Sequence, residues 1–169
     1  EGVDGGKGGA GGGGEGAGDH GCEDMTGGIV AELGRTGRNF AAGMYGGSAY
    51  VLDEAGDFAK LCNMAMVELE PVLSEEMIAE NIYHQQGDLE AHGRVDVFAN
   101  LLESDIERLH ILISRHAKAT GSQRAADILA NWKAFMPKFR TVMPVEYRRA
   151  LKDVKKQNAD AEPKNAIGA

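Results

Sequence analysis

The chain has 169 residues and a formal net charge of −8 at pH 7. Such an acidic chain has no general attraction to nucleic-acid phosphates, and it contains no apolar run of membrane-spanning length. Its start lacks the layout of a signal peptide. These features predict a cytoplasmic protein with neither nucleic-acid nor membrane partners. The two cysteines, Cys22 and Cys62, are expected to be reduced thiols.

Residues 1–17 are rich in glycine, with Val3, Ala10 and Ala17 as the only apolar side chains. Because so little apolar surface offsets the ordering entropy of glycine, we expect this segment to be disordered. A Gly-x-Gly-x-x-Gly loop binds a pyrophosphate when it lies between a strand and a helix. Residues 11–16 follow no predicted strand and open no predicted helix, so no nucleotide site is predicted.

Between residues 18 and 58 the sequence matches itself after a shift of nineteen residues. Met-Thr-Gly-Gly at 25–28 returns as Met-Tyr-Gly-Gly at 44–47, and a short apolar stretch of strand composition follows each. This period predicts that residues 18–68 form turns of a parallel β-helix. Glycines should occupy its corners, where the backbone turns through positive φ or approaches the next turn closely: Gly18, Gly27, Gly28, Gly37, Gly46, Gly47 and Gly56.

Chance self-similarity, or a loose hairpin, is an alternative explanation, because glycine accounts for 24 of the 169 residues. Only two full repeats are visible, whereas a solenoid usually needs about three to be stable alone. The β-helix interpretation therefore predicts further repeats upstream.

Glycine becomes sparse after residue 57, and residues 69–103 are predicted to be a linker of irregular structure. Ser74 within this linker could cap a short helix over residues 74–80. The linker also carries His84 and His92.

Residues 104–154 are predicted to form an α-helical extension. A capping box from Ser104 to Glu107 predicts a helix that runs to about residue 119. Gly121 suits the left-handed position after that helix, and Ser122 can cap the next one. A stripe on the second helix is expected to pack against the repeats or a partner domain: Ala125, Ile128, Leu129, Trp132, Phe135 and Met136.

Proline marks the later boundaries of this extension. Pro137 should end the second helix, and Pro144 should lie in the first turn of a third. Residues 155–169 are polar and are expected to form a mobile tail.

Two groups of residues invite a chemical interpretation. His20 and Cys22 lie close together, but the chain has no Cys-x-x-Cys and no helical His pair, so no metal site is predicted. Asp19 beside His20 and Cys22 suggests a base and a nucleophile. Side chains so close in sequence rarely align on an extended strand, and corner hydrogen bonding by Asp and His is commoner. No catalytic residue is predicted.

Several motifs together resemble a known family. Gly-Asp-His-Gly-Cys-Glu occupies residues 18–23, and Arg-Thr-Gly-Arg-Asn-Phe-Ala-Ala-Gly-Met occupies residues 35–44. Downstream stand Thr-Gly-Ser at 120–122, Ile-Leu-Ala-Asn-Trp at 128–132 and Val-Met-Pro at 142–144. In these motifs the chain resembles the C-terminal Gly-x-Gly-x-Gly domain of the glutamate synthase large subunit.

The resemblance implies a mainly β fold, a right-handed parallel β-helix segment followed by an α-helical C-terminal extension. Members of the family convert glutamine, 2-oxoglutarate and two electrons into two glutamates. An amidotransferase domain with a cysteine nucleophile releases ammonia, and a barrel with FMN and an iron-sulfur cluster reduces the imine.

By the same resemblance, this domain is a scaffold that carries no catalytic residue and binds no cofactor. Its partners would be the amidotransferase and FMN-barrel regions, with the small subunit as a further one. The alternative is a free-standing β-solenoid interaction module, or a detached fragment without enzyme activity.

Overall fold

The computed structural model describes residues 11–72, 97–150 and 153, with side chains from 13 onward in the first range and from 105 onward in the second. The helix predicted over 74–80 and the tail predicted from 155 lie outside the described residues. The β-strands are β1 (Gly11–Gly14), β2 (Thr26–Glu32), β3 (Gly46–Leu52), β4 (Val67–Pro71) and β5 (Phe139–Pro144).

Most of the helical structure follows β4. The α-helices are α1 (Phe58–Leu61), α2 (Val97–Thr120), α3 (Gln123–Ala130) and α4 (Trp132–Phe135), with a 3-10 turn at Met136–Lys138. Residues 145–150 are also helical.

The five strands form one sheet in the order β1-β2-β3-β5-β4. β1, β2 and β3 are parallel, whereas β5 is antiparallel to both β3 and β4. Thr26 pairs with Gly46, and a register shift follows this pair. Ile29 pairs with Ser48 and Glu32 with Val51, so partners lie nineteen residues apart along this part of β2 and β3. This register equals the shift found in the sequence, which shows that the self-similarity reflects stacked backbone and not chance.

The predicted β-helix is nevertheless wrong. The strands form a small mixed sheet with helices and do not close into a parallel solenoid. The reason is that β5 returns from the helical segment and pairs with β3 from Ala49 to Leu52. Because β5 occupies this edge in the antiparallel sense, no fourth parallel strand can stack on β3.

Three local expectations also differ from the structure. Gly11–Gly14 is a strand where disorder was expected, because parallel pairing with β2 uses only the backbone. α2 begins at Val97, so the expected capping box at Ser104 falls inside a helix. The expected helical extension contains β5, which contributes Phe139 to one core cluster and Val142 to the other.

The junction between α2 and α3 is as predicted. Gly121 has φ of +68°, and its amide donates to the carbonyl of Ala117 at 2.9 Å. The Ser122 hydroxyl accepts a hydrogen bond from the amide of Ala125 at 3.0 Å, which caps α3. A left-handed glycine followed by a capping serine therefore turns the chain between the two helices.

Both faces of the sheet are buried. Ala49 and Val51 on β3 face one cluster, in which the repeat turns contribute large side chains, including Met25, Phe40, Met44 and Phe58. Tyr50 and Leu52 face the opposite cluster, which the helices complete through Leu109, Ile113, Ala125 and Ile128. Successive side chains of a strand point to opposite faces of the sheet. The repeat turns therefore pack on one face and the helices on the other.

Candidate functional site

The glycine corners lie where the two repeats stack. Gly28 and Gly47 have φ of +88° and +83°, a conformation that favours glycine. They stand nineteen residues apart and adjoin each other, because a Cβ atom on Gly47 would lie 2.6 Å from the carbonyl oxygen of Gly28. Gly56 also has positive φ, +71°.

Gly37 and Gly46 are required for another reason. A Cβ atom on Gly37 would lie 2.4 Å from the amide nitrogen of Asp19, and one on Gly46 would lie 2.4 Å from the carbonyl oxygen of Thr26. Both contacts are with the preceding repeat, so any side chain would separate the two backbones. Gly18 and Gly27 have open space around their Cβ positions.

The sequence interpretation missed the tightest glycine in the repeats. A Cβ atom on Gly34 would lie 1.7 Å from the carbonyl oxygen of Glu15. The nineteen-residue shift does not reveal Gly34, because Asp53 stands at the equivalent position of the second repeat.

Non-glycine residues also adopt left-handed conformations in pairs. His20 and Asn39 have φ of 69° and 59°, and Cys22 and Ala41 have φ of 58° and 62°. The members of each pair are nineteen residues apart. Since the side chains differ while the backbone repeats, the stacking of the turns, and not residue preference, holds these conformations.

The Asp19, His20 and Cys22 group does not form a catalytic arrangement. Asp19 Oδ1 accepts a hydrogen bond from the Arg38 amide at 2.7 Å, which joins the two repeats at a corner. His20 Nδ1 lies 3.5 Å from a carboxylate oxygen of Glu23 at the surface. Burial raises the pKa of the Cys22 thiol to about 12, so the thiol stays protonated and a poor nucleophile at neutral pH.

The residues of this chain do not fit an iron-sulfur cluster. Such clusters are held by several cysteine thiolates, whereas the chain has only Cys22 and Cys62. Burial also raises the pKa of Cys62 to about 11. Over residues 11–72, 97–150 and 153, no group of three His, Cys, Asp or Glu side chains converges to hold a metal ion. His84 and His92 lie outside these ranges.

A cleft of about 250 Å³ lies beside the end of β3, with lining residues that include Arg35, Asp53, Glu54 and Asp57. The guanidinium of Arg35 is already paired with Asp57 at 2.7 Å. Because Asp57 already engages the Arg35 guanidinium, the described residues that line the cleft offer no unpaired cation to the phosphate of FMN, so the cleft does not fit that cofactor. The buried Thr36 hydroxyl, also in the lining, has no hydrogen-bond partner among the described residues.

Polar contacts connect the repeats to the helices. The Tyr50 hydroxyl, on a side chain with no exposed surface, donates to Asp105 Oδ1 at 2.9 Å. Arg108 donates to the same oxygen at 3.0 Å. Arg124 donates to the Leu33 carbonyl and pairs with Glu54. The helices are therefore bound to the repeats by directed bonds as well as by apolar packing.

A second polar cluster lies beneath β1. His116 Nε2 is 3.3 Å from Glu15 Oε1, and hydrogen bonds from Ser122 and then His116 lower the pKa of Glu15. Glu32 is only 4% exposed. Its burial raises the pKa of its carboxyl group. The sequence interpretation did not identify Glu32, because a single acidic residue at the end of an apolar stretch looks like an ordinary strand boundary.

Comparison with known proteins agrees with this repeat architecture. Residues 14–94 match the family described as GXGXG motif. This range contains both repeats described above.

The chain is also similar to segments of much longer proteins. The chain is 36% identical over 143 residues to the glutamate synthase [NADPH] large chain of Bacillus subtilis, with 84% of this chain and 8% of the relative covered. It is 40% identical to the glutamate synthase [NADH] of Schizosaccharomyces pombe, with 85% and 5% covered. It is 36% identical to the ferredoxin-dependent glutamate synthase of Pyropia yezoensis, with 75% and 6% covered.

The chain is thus a homologue of a GXGXG-containing segment of glutamate synthase, which confirms the resemblance stated from the sequence. It spans less than a tenth of the length of these relatives. No helix in the described part of the chain is long and apolar enough to cross a membrane.

Proposed function

We propose that this chain is a non-catalytic scaffold domain of a glutamate synthase large subunit, located in the cytoplasm. The enzyme that it serves would convert glutamine, 2-oxoglutarate and two electrons into two glutamates. The proposal is supported by relatives with this name, which match over three quarters or more of the chain.

The scaffold role is supported by one observation: motif residues form contacts between the two repeats. Gly37 and Gly46 allow the two repeats to touch through their backbones, and Asp19 joins the repeats by a hydrogen bond to Arg38. These contacts are structural, since they hold the two repeats together. A rigid stacked surface suits the holding of neighbouring domains in a fixed relative position.

The partners in this proposal are the amidotransferase and FMN-barrel regions of the same enzyme, with its small subunit as a further one. FMN and the iron-sulfur cluster would be held outside this chain. The donor set of the chain agrees with this, because it offers two thiols of raised pKa and a small acidic cleft.

The test uses two variants of the full-length enzyme at equivalent repeat positions. Gly46→Ala places a methyl group 2.4 Å from the Thr26 carbonyl oxygen, whereas Gly27→Ala enters open space. Assembly is measured by size-exclusion chromatography with FMN content, and activity by glutamine-dependent glutamate formation. A scaffold role predicts that Gly46→Ala lowers the yield of assembled enzyme while kcat per bound FMN stays unchanged. Gly27→Ala should leave both quantities unchanged.

Two results would contradict the proposal. A lower kcat per bound FMN in a fully assembled Gly46→Ala enzyme would place this segment in the chemistry. Native protein that purifies without FMN and without glutamate formation would instead indicate the free-standing interaction module.

A further inference from the structure

β1 consists of glycine, and side chains from elsewhere fill the space beside it. A Cβ atom on Gly13 would lie 3.1 Å from the ring of His116 on α2. A Cβ atom on Gly14 would lie 2.6 Å from Glu32 Oε2, on the neighbouring strand. β1 is thus held by backbone pairing with β2 and by contacts with these two titratable side chains.

Glu32 is the more deeply buried of the two side chains. Its Oε1 accepts a hydrogen bond from the Gly34 amide at 3.4 Å, and the Gly16 backbone also hydrogen-bonds to this carboxyl group. Both bonds lower the pKa of Glu32, but its burial has the larger effect and raises it. The titratable groups around it are His116 on α2, Glu15 just after β1, and the Cys22 thiol. A charged Glu32 is attracted by protonated His116 and repelled by Glu15.

The other end of the cluster anchors the same segment. Glu15 follows β1 directly, and its carboxylate interacts with His116, Ser122 and Arg124. One histidine therefore stands between a carboxyl group on the glycine segment and a buried carboxyl group on β2. Protonation of Glu32 relieves the burial of negative charge beneath β1.

We propose that Glu32 and His116 form a proton-controlled clasp on β1, which holds the glycine strand firmly at mildly acidic pH and loosens it at alkaline pH. Four glycines contribute no side chains of their own to resist the loosening. The clasp is independent of the scaffold role proposed above, since it concerns only the attachment of β1.

The sign of the effect follows from proton linkage. The pKa of Glu32 is higher in the folded state, mainly through burial, so its stabilising contribution is complete below its unfolded-state pKa and is lost as pH rises through the folded-state value. The pKa of Glu15 is lowered by its hydrogen bonds, so its contribution is lost only as pH falls through that lowered value. The clasp is therefore tightest between these two limits.

Amide hydrogen exchange tests the clasp in the native protein that carries this chain. The Leu33 amide donates to the Gly14 carbonyl at 2.7 Å and reports the attachment of β1. The Tyr45 amide donates to the Met25 carbonyl at 2.8 Å between the two repeats and serves as an internal reference. After correction for intrinsic exchange rates, Leu33 protection should fall severalfold relative to Tyr45 between pH 5 and pH 8, because the folded state holds the Glu32 proton more tightly than the unfolded state does.

Two variants complete the test. Glu32→Gln removes the charge at nearly constant shape, and it should abolish the pH dependence at Leu33. Glu107→Gln, at an exposed position on α2, should behave as the wild type. A wild-type ratio that does not change with pH would overturn the clasp even if Glu32→Gln fails to fold. A Glu32→Gln protein that keeps the wild-type dependence would overturn it as well.

Discussion

The carbonyl oxygen of Glu15 lies where a side chain on Gly34 would begin, since a Cβ atom there would stand 1.7 Å from that oxygen. Gly34 follows β2, and Glu15 follows β1. The backbones after these two strands are therefore in close contact at this position. The first prediction concerns this contact.

Gly34→Ala should destabilise the protein by about 3 kcal/mol or more, because the methyl group would meet backbone that cannot turn aside. Gly18→Ala is the matched control, with nothing within 4 Å of its Cβ position. Urea denaturation followed by circular dichroism gives the free energy of unfolding of each. Equal stabilities for the two variants would show that the Gly34 contact relaxes at little cost.

Tyr50→Phe should lower the free energy of unfolding by about 1–2 kcal/mol, because it removes the hydrogen bond to the partly buried Asp105 and no apolar volume. Tyr45→Phe is the control, since Tyr45 is 63% exposed. The measurement is again denaturant unfolding. A loss no larger than that of the control would mean that this hydrogen bond makes no net contribution to the free energy of unfolding.

Ser122→Ala should cost about 1 kcal/mol, because the hydroxyl caps α3 by accepting from the Ala125 amide. Ser122→Asn should retain most of the stability, because asparagine is an equally good cap. Thermal unfolding of the two variants side by side separates the lost cap from a general intolerance of substitution at this position. If the asparagine variant were as unstable as the alanine variant, the cap would not be the cause.

Cys22 should react slowly with iodoacetamide in the folded protein. Its pKa is raised from the ordinary 9.0 to about 12, so at pH 9 only about one folded molecule in a thousand carries the thiolate. Mass spectrometry of the Cys62→Ala variant isolates this thiol, and the same protein in urea is the control. Folded and unfolded chains that react at equal rates would contradict the raised pKa.

The same pKa shift predicts a loss of stability at high pH. Because the folded state keeps the thiol proton longer, the unfolded state releases it first as pH rises above about 9. The free energy of unfolding should therefore decline between pH 9 and pH 12. Comparing the wild type with Cys22→Ala isolates the contribution of this thiol, and an equal decline in both would assign the loss to other groups.

Local signals in the sequence were sufficient for some features of the fold. The nineteen-residue shift predicted the pairing of Ile29 with Ser48. Gly121 and Ser122 predicted the turn between α2 and α3, because a left-handed glycine and a serine cap act within a few residues.

Features that depend on distant partners were missed. β5 lies between the helices expected to end at Pro137 and to begin at Pro144, inside the predicted helical extension, and its strand structure depends on pairing with β3 and β4. The role of Glu32 depends on its position beneath Gly14 and beside His116, which no local pattern records.

By itself, then, the sequence determined the repeat, its main register and the resemblance to a glutamate synthase segment. Only the tertiary structure decided that the repeat ends in a mixed sheet, because pairing with an antiparallel strand from beyond residue 138 closes the edge of β3. It also decided which glycines touch backbone and which carboxyl groups are buried. Both depend on what the fold brings near a residue, and a nineteen-residue period describes only the spacing along the chain.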